Sequence, residues 1–290
     1  MKKIFYILFL LILSLLVIIY SKDISINIIS IFDTWKTNIF PSLFPFFIIS
    51  KILINYGFTP KIFNINPNYS FIFFMSMISG FPSSAKYTKE LVDKNIISQE
   101  DANKIILFTH FSNPAFILIT LSSNFLKNQN IGWLILFSHY ISNLIIALFV
   151  KGSKNKSVYK KDSKSFSYAL NDAIKDTLST LFLILGTLVT YSIIITLFNK
   201  LPFNTYYKSI LIGLIELTEG LKSVSLLNIS LRLKASICTF LLSFGGLAIH
   251  TQVINIIKIN YKKYLFFRIF HASLSFLITY FLFYLFWATS

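Results

Sequence analysis

Long apolar stretches, separated by short polar segments, follow one another along the chain. A helix needs about 17–25 consecutive apolar residues to cross a bilayer. The stretches that reach or approach this length are 4–19, 28–56, 105–125, 132–150, 177–198, 235–257 and 269–287. Of all residues 55% are hydrophobic and only 13% are charged, about half the charged fraction of a soluble domain. The pattern therefore predicts an all-α polytopic membrane protein with about seven transmembrane helices.

Two further apolar pieces, 71–81 and 210–220, are too short to span a bilayer. Two of the longer stretches are interrupted, one at Asn113-Pro114 and the other at 243–246. Such a break leaves backbone N–H and C=O groups without helical partners, which a membrane tolerates only where protein or a water-filled cavity covers them. We therefore expect two re-entrant or broken-helix hairpins, with a binding site at the breaks as in transporters.

The same order of features occurs twice along the chain. The short pieces end near Gly80 and Gly220, 140 residues apart, and the interruptions at Asn113 and Gly246 are 133 residues apart. A nearly constant offset indicates an internal repeat, and three spans plus one hairpin in each half predict an inverted repeat. The predicted segments are an N-terminal signal-anchor helix at 1–27, a first repeat half at 28–150, a basic cytoplasmic loop at 151–164 and a second, inverted half at 165–290.

The formal net charge of +16 is carried by basic segments between the apolar stretches. All but two of the 27 basic residues are lysines, and the richest segments are 151–164 and 258–268. Cytoplasmic loops of membrane proteins carry such an excess of Lys, so we expect a multi-pass protein of the cell membrane with a cytoplasmic N-terminus. Nucleic-acid readers rely on Arg and gather charge on one face, so no nucleic-acid partner is expected.

The residues at and beside the breaks are the candidates for a substrate or ion path. They are Gly80, Pro82, Ser83, Ser84, Ser112, Asn113, Glu216, Glu219, Gly245, Gly246, His250 and Gln252. A half-helix N-terminus exposes N–H groups that favour an anionic or hydroxyl-rich ligand, and an Asn side chain offers both a donor and an acceptor. The alternative is a set of kinks whose polar groups are satisfied by neighbouring helices.

The carboxylates and histidines near the breaks leave alternatives open. Glu216 and Glu219 could bind Na⁺ or carry a proton, since intramembrane carboxylates are costly and usually functional, or they could face water at the membrane interface. His110 and His250 could relay protons or be structural. His139 and His271 are expected to be packing residues within spans.

Other polar residues have simpler interpretations. Cys238 is expected to be a small buried hydrophobe, and a single cysteine allows no intramolecular disulfide. Lys86 is expected to extend to the membrane interface or to pair with Glu90 one helical turn away. Ser98, followed by acidic residues up to Asp101, is typical of a helix N-terminus.

Motifs for catalysis and metal binding are not found in the sequence. No pair of histidines, with or without carboxylates, has metal-ligand spacing, and there is no G-x-S-x-G motif, P-loop or Ser/His/Asp arrangement. We therefore expect neither a metal nor another cofactor, and we do not expect an enzyme.

Several motifs occur together in an order that resembles a known family. They are the segments 38–47, Gly80-Phe81-Pro82-Ser83-Ser84-Ala85-Lys86, Phe111-Ser112-Asn113-Pro114, 138–143 and 242–253. Together they resemble the YlbJ-type sporulation integral membrane proteins, which belong to the nucleoside-recognition Gate-domain superfamily. The resemblance covers about residues 35 to 290.

The resemblance implies a role in endospore formation, in the mother-cell or forespore membrane of a Gram-positive spore former. One hypothesis is a Gate-type transporter or channel-like protein for a small polar solute or a nucleoside-like ligand. The other is a membrane scaffold for assembly of the spore envelope, its cortex and coat, which transports nothing. The expected partners are the lipid bilayer and, for the first hypothesis, that solute; homo-oligomerisation is left open.

Overall fold

The computed structural model describes residues 2–58, 67–150 and 165–287, and this part of the chain is helical without β-strands. The helices of the first half are α1 (Lys2–Ile19), α2 (Ser21–Thr34), α3 (Phe40–Asn55), α4 (Pro67–Ser79), α5 (Ser83–Asp93), α6 (Gln99–Phe108) and α7 (Ile131–Phe149), with π-helical segments at Trp35–Ile39 and Phe116–Phe125. Those of the second half are α8 (Phe166–Asn199), α9 (Thr205–Ile215), α10 (Leu217–Ser225), α11 (Leu231–Phe244), α12 (Gly246–Ile256) and α13 (Tyr261–Trp287). The predicted basic loop at 151–164 lies outside the described residues.

The described residues contain five helical stretches that are long and apolar enough to cross a membrane. They are Ser21–Asn55, Ile131–Phe149, Phe166–Asn199, Leu231–Ile256 and Tyr261–Leu285. The multi-pass, all-helical prediction is therefore confirmed, whereas the figure of about seven spans stays a prediction. Of the other two predicted spans, 4–19 corresponds to α1 and 105–125 is divided between α6 and the π-helix Phe116–Phe125.

The first long stretch, Ser21–Asn55, changes its helical winding in the middle. Trp35–Ile39 forms a π-helical turn, in which the Phe40 N–H reaches the carbonyl of Trp35 five residues earlier. Pro41 explains the change, because its ring has no N–H to donate to the carbonyl of Thr37 and crowds that turn. The predicted boundary at residue 27 falls inside α2.

Two pairs of short helices fold back on themselves as hairpins. In the first hairpin, α4 and α5 are joined at 80–82, and the Tyr87 hydroxyl donates to Ser79 Oγ across the turn at 2.9 Å. In the second, α9 and α10 meet at Glu216, and the backbones of Gly213 and Gly220 touch. Both short apolar pieces of the sequence are thus arms of helical hairpins.

Two further helices are interrupted where the sequence predicts. Helix α6 begins with Ser98 and Asp101 in a reciprocal capping box, which confirms the predicted N-terminus, and it ends at Phe108. Residues 109–113 are non-helical before the chain resumes a helix at Pro114. In the second half, α11 ends at Phe244 and α12 begins at once after Gly245, whose φ of +92° is accessible to glycine.

The helices of the two halves pack against one another rather than forming separate units. Helices α2 and α3 lie along α8, while α7 and α11 both pack against α13. One buried cluster gathers residues of α7, α10, α11 and α12, and another gathers residues of α3, α4, α6 and α8. These contacts bring the hairpins and the broken helices to a common centre.

The contact between Gly213 and Gly220 predicts that the second hairpin tolerates no side chain there. A Cβ at Gly220 would overlap the Cα of Gly213, so Gly220→Ala should destabilise the protein by about 1–3 kcal/mol or more, as overpacking does. Thermal unfolding of the purified protein in detergent measures this.

Gly186→Ala is the matched control for that measurement, because a Cβ at Gly186 in α8 meets nothing within 4 Å. It should leave stability unchanged or raise it by up to about 1 kcal/mol through helix propensity. Equal melting temperatures for the two variants would contradict the hairpin contact.

Candidate functional site

The turns of both hairpins and the breaks of both broken helices meet at close range. A Cβ placed on Gly80 would lie 2.5 Å from the backbone nitrogen of Asn113, so the first turn touches the first break. A Cβ on Gly246 would lie 3.1 Å from the nitrogen of Leu217, so the second break touches the second turn. A Cβ on Gly245 would lie 2.6 Å from His110 Nε2, which brings the two breaks together.

A cavity of about 370 Å³ lies where these elements meet. Its polar lining comes from Thr37, Asn38, Ser42, Ser112, Asn113, Thr120, Glu216, Thr218 and Gln252. Its apolar lining includes Ile39, Leu43, Phe81, Pro82, Phe116, Ile119, Ile184, Leu188 and Ile249. The volume lies within the range typical of small-molecule sites, which are mostly apolar with a few placed polar groups.

Asn113 caps the helix that resumes after the first break. Its Oδ1 accepts the N–H of Ala115 at 2.8 Å, and its Nδ2 donates to the carbonyl of Ile78 in α4 at 3.0 Å. The side chain thereby satisfies an otherwise unpaired helix N–H and holds the hairpin against the break. Its donor and acceptor, which the sequence offers to a ligand, are both engaged by backbone.

Glu216 plays the corresponding part at the second hairpin. Its backbone is extended between α9 and α10, and its two carboxylate oxygens accept the N–H groups of Thr218 at 3.0 Å and Glu219 at 2.8 Å. The residue is only 2% exposed and lines the cavity. A carboxylate at a helix N-terminus is favoured by the aligned peptide dipoles.

Ser112 is held by the helices behind it. Its N–H donates to His139 Nε2 at 2.9 Å, and its carbonyl accepts the Tyr140 hydroxyl at 3.0 Å. Since Nε2 of His139 accepts, its Nδ1 donates to Ser243 Oγ at 2.8 Å. His139 therefore connects the first break with the last turn of α11, next to the second break.

His139 and His271 pack on each other as expected, with ring centroids 4.9 Å apart. His271 Nε2 also donates to the His139 carbonyl at 3.0 Å, and its Nδ1 accepts from Arg268 at 3.1 Å. Within the described residues, these contacts join α7 and α13 through polar groups as well as by packing.

The other two histidines lie beside the cavity without lining it. His250 Nε2 donates to the carbonyl of Phe244 at 2.9 Å and so satisfies the C-terminal end of α11. His110 stacks on Phe81 with ring centroids 4.8 Å apart and contacts the Tyr264 hydroxyl through Nδ1 at 3.3 Å. Both rings are thus built into the walls of the breaks.

The sequence pattern does not indicate that Arg268 is buried beside the first break. The pattern places it at the end of a basic cytoplasmic segment, but it lies inside α13 with no exposed surface. Its guanidinium donates to the carbonyl of Leu107 in the last turn of α6 and to His271. A cation is stabilised at the C-terminal end of a helix. Arg268 therefore caps the end of α6 before the first break, whereas Asn113 caps the helix that begins after it.

The structure separates the candidate residues into two groups. Pro82, Ser112, Asn113, Glu216 and Gln252 line the cavity. The candidates that do not line it are Gly80, Ser83, Ser84, Glu219, Gly245, Gly246 and His250. The glycines allow close backbone approach, while Ser83 belongs to a hydrogen-bonded group with Ser79.

Three polar residues of the cavity lining are not among the candidates that the sequence indicates for a substrate or ion path. They are Thr37, Asn38 and Ser42. The signal available in the sequence is that these polar residues stand beside Pro41 within an apolar stretch. Thr37 and Asn38 belong to the π-helical turn, and Ser42 lies in the first turn of α3.

Lys86 is tied to helix α8 rather than to Glu90. Its ammonium lies 3.2 Å from the Asp176 carboxylate, whereas Glu90 pairs with Lys51 of α3, also at 3.2 Å. Lys51 lies 3.6 Å from Asp176 as well. The expected pair one turn apart is therefore replaced by a cluster that joins α3, α5 and α8.

Across the described ranges no group of three or more His, Cys, Asp or Glu side chains is arranged to hold a metal ion. Cys238 is buried and free in α11.

The chain is similar in sequence to a known membrane protein. The chain is 28% identical to the sporulation integral membrane protein YlbJ of Bacillus subtilis (strain 168), over 77% of this chain and 68% of the relative. No family model matches the chain, and no solved structure matches it significantly.

The contacts of Arg268 predict a large effect on stability. Arg268→Met removes charged hydrogen bonds worth about 1.5–3 kcal/mol each and leaves the Leu107 carbonyl without this donor. We expect a loss of at least about 2 kcal/mol, measured by thermal unfolding in detergent. Lys263→Met, on the same helix but exposed, should change stability by less than about 0.5 kcal/mol; comparable losses would refute the capping role of Arg268.

Proposed function

We propose that the chain, which is similar to the sporulation integral membrane protein YlbJ over 77% of its length, is a Gate-type transporter or channel-like protein of endospore formation. It moves or senses a small polar solute, for which a nucleoside-like molecule is one candidate. The observation that carries this proposal is the cavity where the two hairpin turns and the two helix breaks meet. Broken helices that surround a cavity are characteristic of transporter binding sites.

The free polar groups of the cavity support a ligand-binding role. No described residue engages the side-chain amide of Gln252 in a hydrogen bond, although Gln252 is buried and faces the cavity. Its amide therefore offers a donor and an acceptor to a polar solute in the cavity. Phe81 and Phe116 add apolar surface on which the rest of a small solute can pack.

The order of the elements supports the inverted repeat. Each half has a long stretch (35 residues at Ser21–Asn55 and 34 residues at Phe166–Asn199), then a helical hairpin, a broken helix and a final long helix. In our proposal the two halves cross the membrane with opposite orientation, both hairpins are re-entrant, and the N-terminus is cytoplasmic. The membrane is that of the mother cell or the forespore.

A scaffold for spore-envelope assembly is the second candidate function. The observation in its favour is that the polar groups of Asn113 and Ser112 are already satisfied within the protein. Breaks that are fully paired could serve rigidity alone. The two functions differ in whether water and solute reach the cavity.

Cysteine accessibility tests whether the cavity is open to water. Thr120→Cys and Gln252→Cys, made singly in a Cys238→Ala background, place thiols in the cavity lining. If the protein conducts a solute, a membrane-impermeant thiol reagent should label both in intact membranes. Mass spectrometry quantifies the labelled fraction.

Thr239→Cys and Ser275→Cys are matched controls, because both positions are fully buried between α11 and α13 away from the cavity lining. They should stay unlabelled until the protein is denatured. Protection of the cavity positions to the same degree as these controls would rule against the transporter and favour the scaffold.

Complementation separates the two functions in the cell. In a spore-forming host that lacks its own YlbJ-type protein, a transporter carrying Gln252→Ala should fail to restore spore formation while its abundance stays normal. Gln129→Ala, on an exposed turn, should restore it fully. A scaffold should instead tolerate Gln252→Ala and lose activity when the lysines at 151–164 are neutralised; spore counts and immunoblots provide both readouts.

A further inference from the structure

We propose that Glu216 is a proton-binding site, whose carboxyl group takes up a proton when the cavity is loaded and releases it when the cavity is emptied. The inference rests on the proposed function, since loading means binding of a solute. A proton from water forms an O–H bond with a carboxylate oxygen, and release returns that proton to water. Glu216 thereby couples solute movement to proton movement.

The position of Glu216 is the first support for this role. Among the described residues that line the cavity, Glu216 alone has an ionisable side chain. It lies at the turn of the second hairpin, next to Leu217 and opposite Gly246 of the second break. Within this described lining, the charge changes when Glu216 changes its protonation state.

Two opposing effects keep both forms of the carboxyl group accessible. Burial among apolar side chains such as Leu217 and Ile249 makes the ionised form costly and favours the neutral acid. The N–H groups of Thr218 and Glu219 favour the ionised form, because they donate directly to its oxygens. A change in the contents of the cavity is then sufficient to shift the balance.

Among the described residues around the second hairpin, few charged side chains act on Glu216. Glu219, one turn further along α10, is the charged side chain that acts on it, and its charge favours the protonated form. Most of the other charged or titratable groups on α9 to α12 have partners elsewhere. Lys208 contacts the carbonyls of Asn199 and Leu201, Lys234 contacts the carbonyl of Ser225, Arg232 contacts Tyr280, and His250 contacts Phe244 and Tyr261. Tyr206 and Tyr207 pack on each other at the start of α9, Lys222 lies in the last turn of α10, and Cys238 is buried in α11.

A bound metal cation fits this place less well than a proton. Both oxygens of Glu216 already face N–H donors, and the N-terminal end of α10 carries a partial positive charge. A cation such as Na⁺ would lie against these donors and would need further oxygen ligands. A proton adds to one oxygen and needs none.

Infrared difference spectroscopy tests the proposal without any solute. The purified protein in lipid nanodiscs is brought from alkaline to acidic pH, and the carbonyl band of a buried protonated carboxylic acid is followed. We expect this band in the unmodified protein and in Glu219→Gln, and its loss in Glu216→Gln. A band of unchanged size in Glu216→Gln would overturn the assignment.

A second measurement uses the unmodified protein and so does not depend on the folding of a variant. An apolar carbodiimide adds to protonated carboxylic acids in apolar surroundings, and peptide mass spectrometry locates the adduct. Labelling of Glu216 should rise as the pH falls and should be unaffected by added NaCl at constant pH. Absence of labelling at every pH, or protection by Na⁺ but not by K⁺, would overturn the proton site.

The two proposals can fail separately. If Glu216 titrates while the cavity cysteines remain unlabelled, the transporter function and its coupling to protons fail, and the proton-binding site on Glu216 stands. If the cysteines are labelled and Glu216 does not titrate, the proton site fails and the transporter function stands.

Discussion

Backbone polar groups at interrupted helices are the constraint on which this structure depends. Hydrocarbon offers no partner to a free N–H or C=O group, and the described part of the chain interrupts its helices at two hairpin turns and two breaks. Particular side chains resolve the ends: Asn113 and Glu216 accept from helix N-termini, while Arg268 and His250 donate to helix C-termini. An acceptor meets the positive end of a helix and a donor meets the negative end.

These side chains also determine how the elements are arranged. Asn113 reaches from the first break to the carbonyl of Ile78, and Arg268 reaches from α13 to Leu107. Asn113 and Arg268 therefore each join two elements, and these shared partners bring the first turn and the first break together. Gly80, Gly245 and Gly246 allow this convergence, since any side chain there would meet backbone or a ring within about 3 Å. Packing around the caps follows from the convergence.

The sequence predicts those parts of the fold that have a local cause. Pro114, which has no N–H to donate, and Gly245, which adopts a positive φ, stand at the two interruptions, and Ser98 with Asp101 begins a helix through contacts within one turn. Arg268 could not be placed in this way. The charge pattern places Arg268 in a basic segment. Its acceptor, the Leu107 carbonyl, is 161 residues away in sequence and has no signal in that pattern.

The same limit applies to Lys86, whose partner Asp176 is 90 residues away. The local sequence pattern predicts the interrupted elements around the cavity, but it does not predict that the segment with Thr37 and Ser42 also lines the cavity. Thr37 and Ser42 belong to a stretch whose sequence is typical of a transmembrane helix with two prolines. Its place beside the breaks depends on tertiary contacts, such as the packing of α3 against α8.

The distribution of satisfied and unsatisfied groups bears on function. If the breaks served rigidity alone, every polar side chain around them would be expected to find a partner, as Asn113 does. Gln252 makes no hydrogen bond to a described residue, and His110 Nε2 and Asn143 Oδ1 beside the first break also lack a partner there. Glu216 combines two properties in one side chain: it caps the N-terminus of α10, and it is an ionisable residue in the described lining of the cavity.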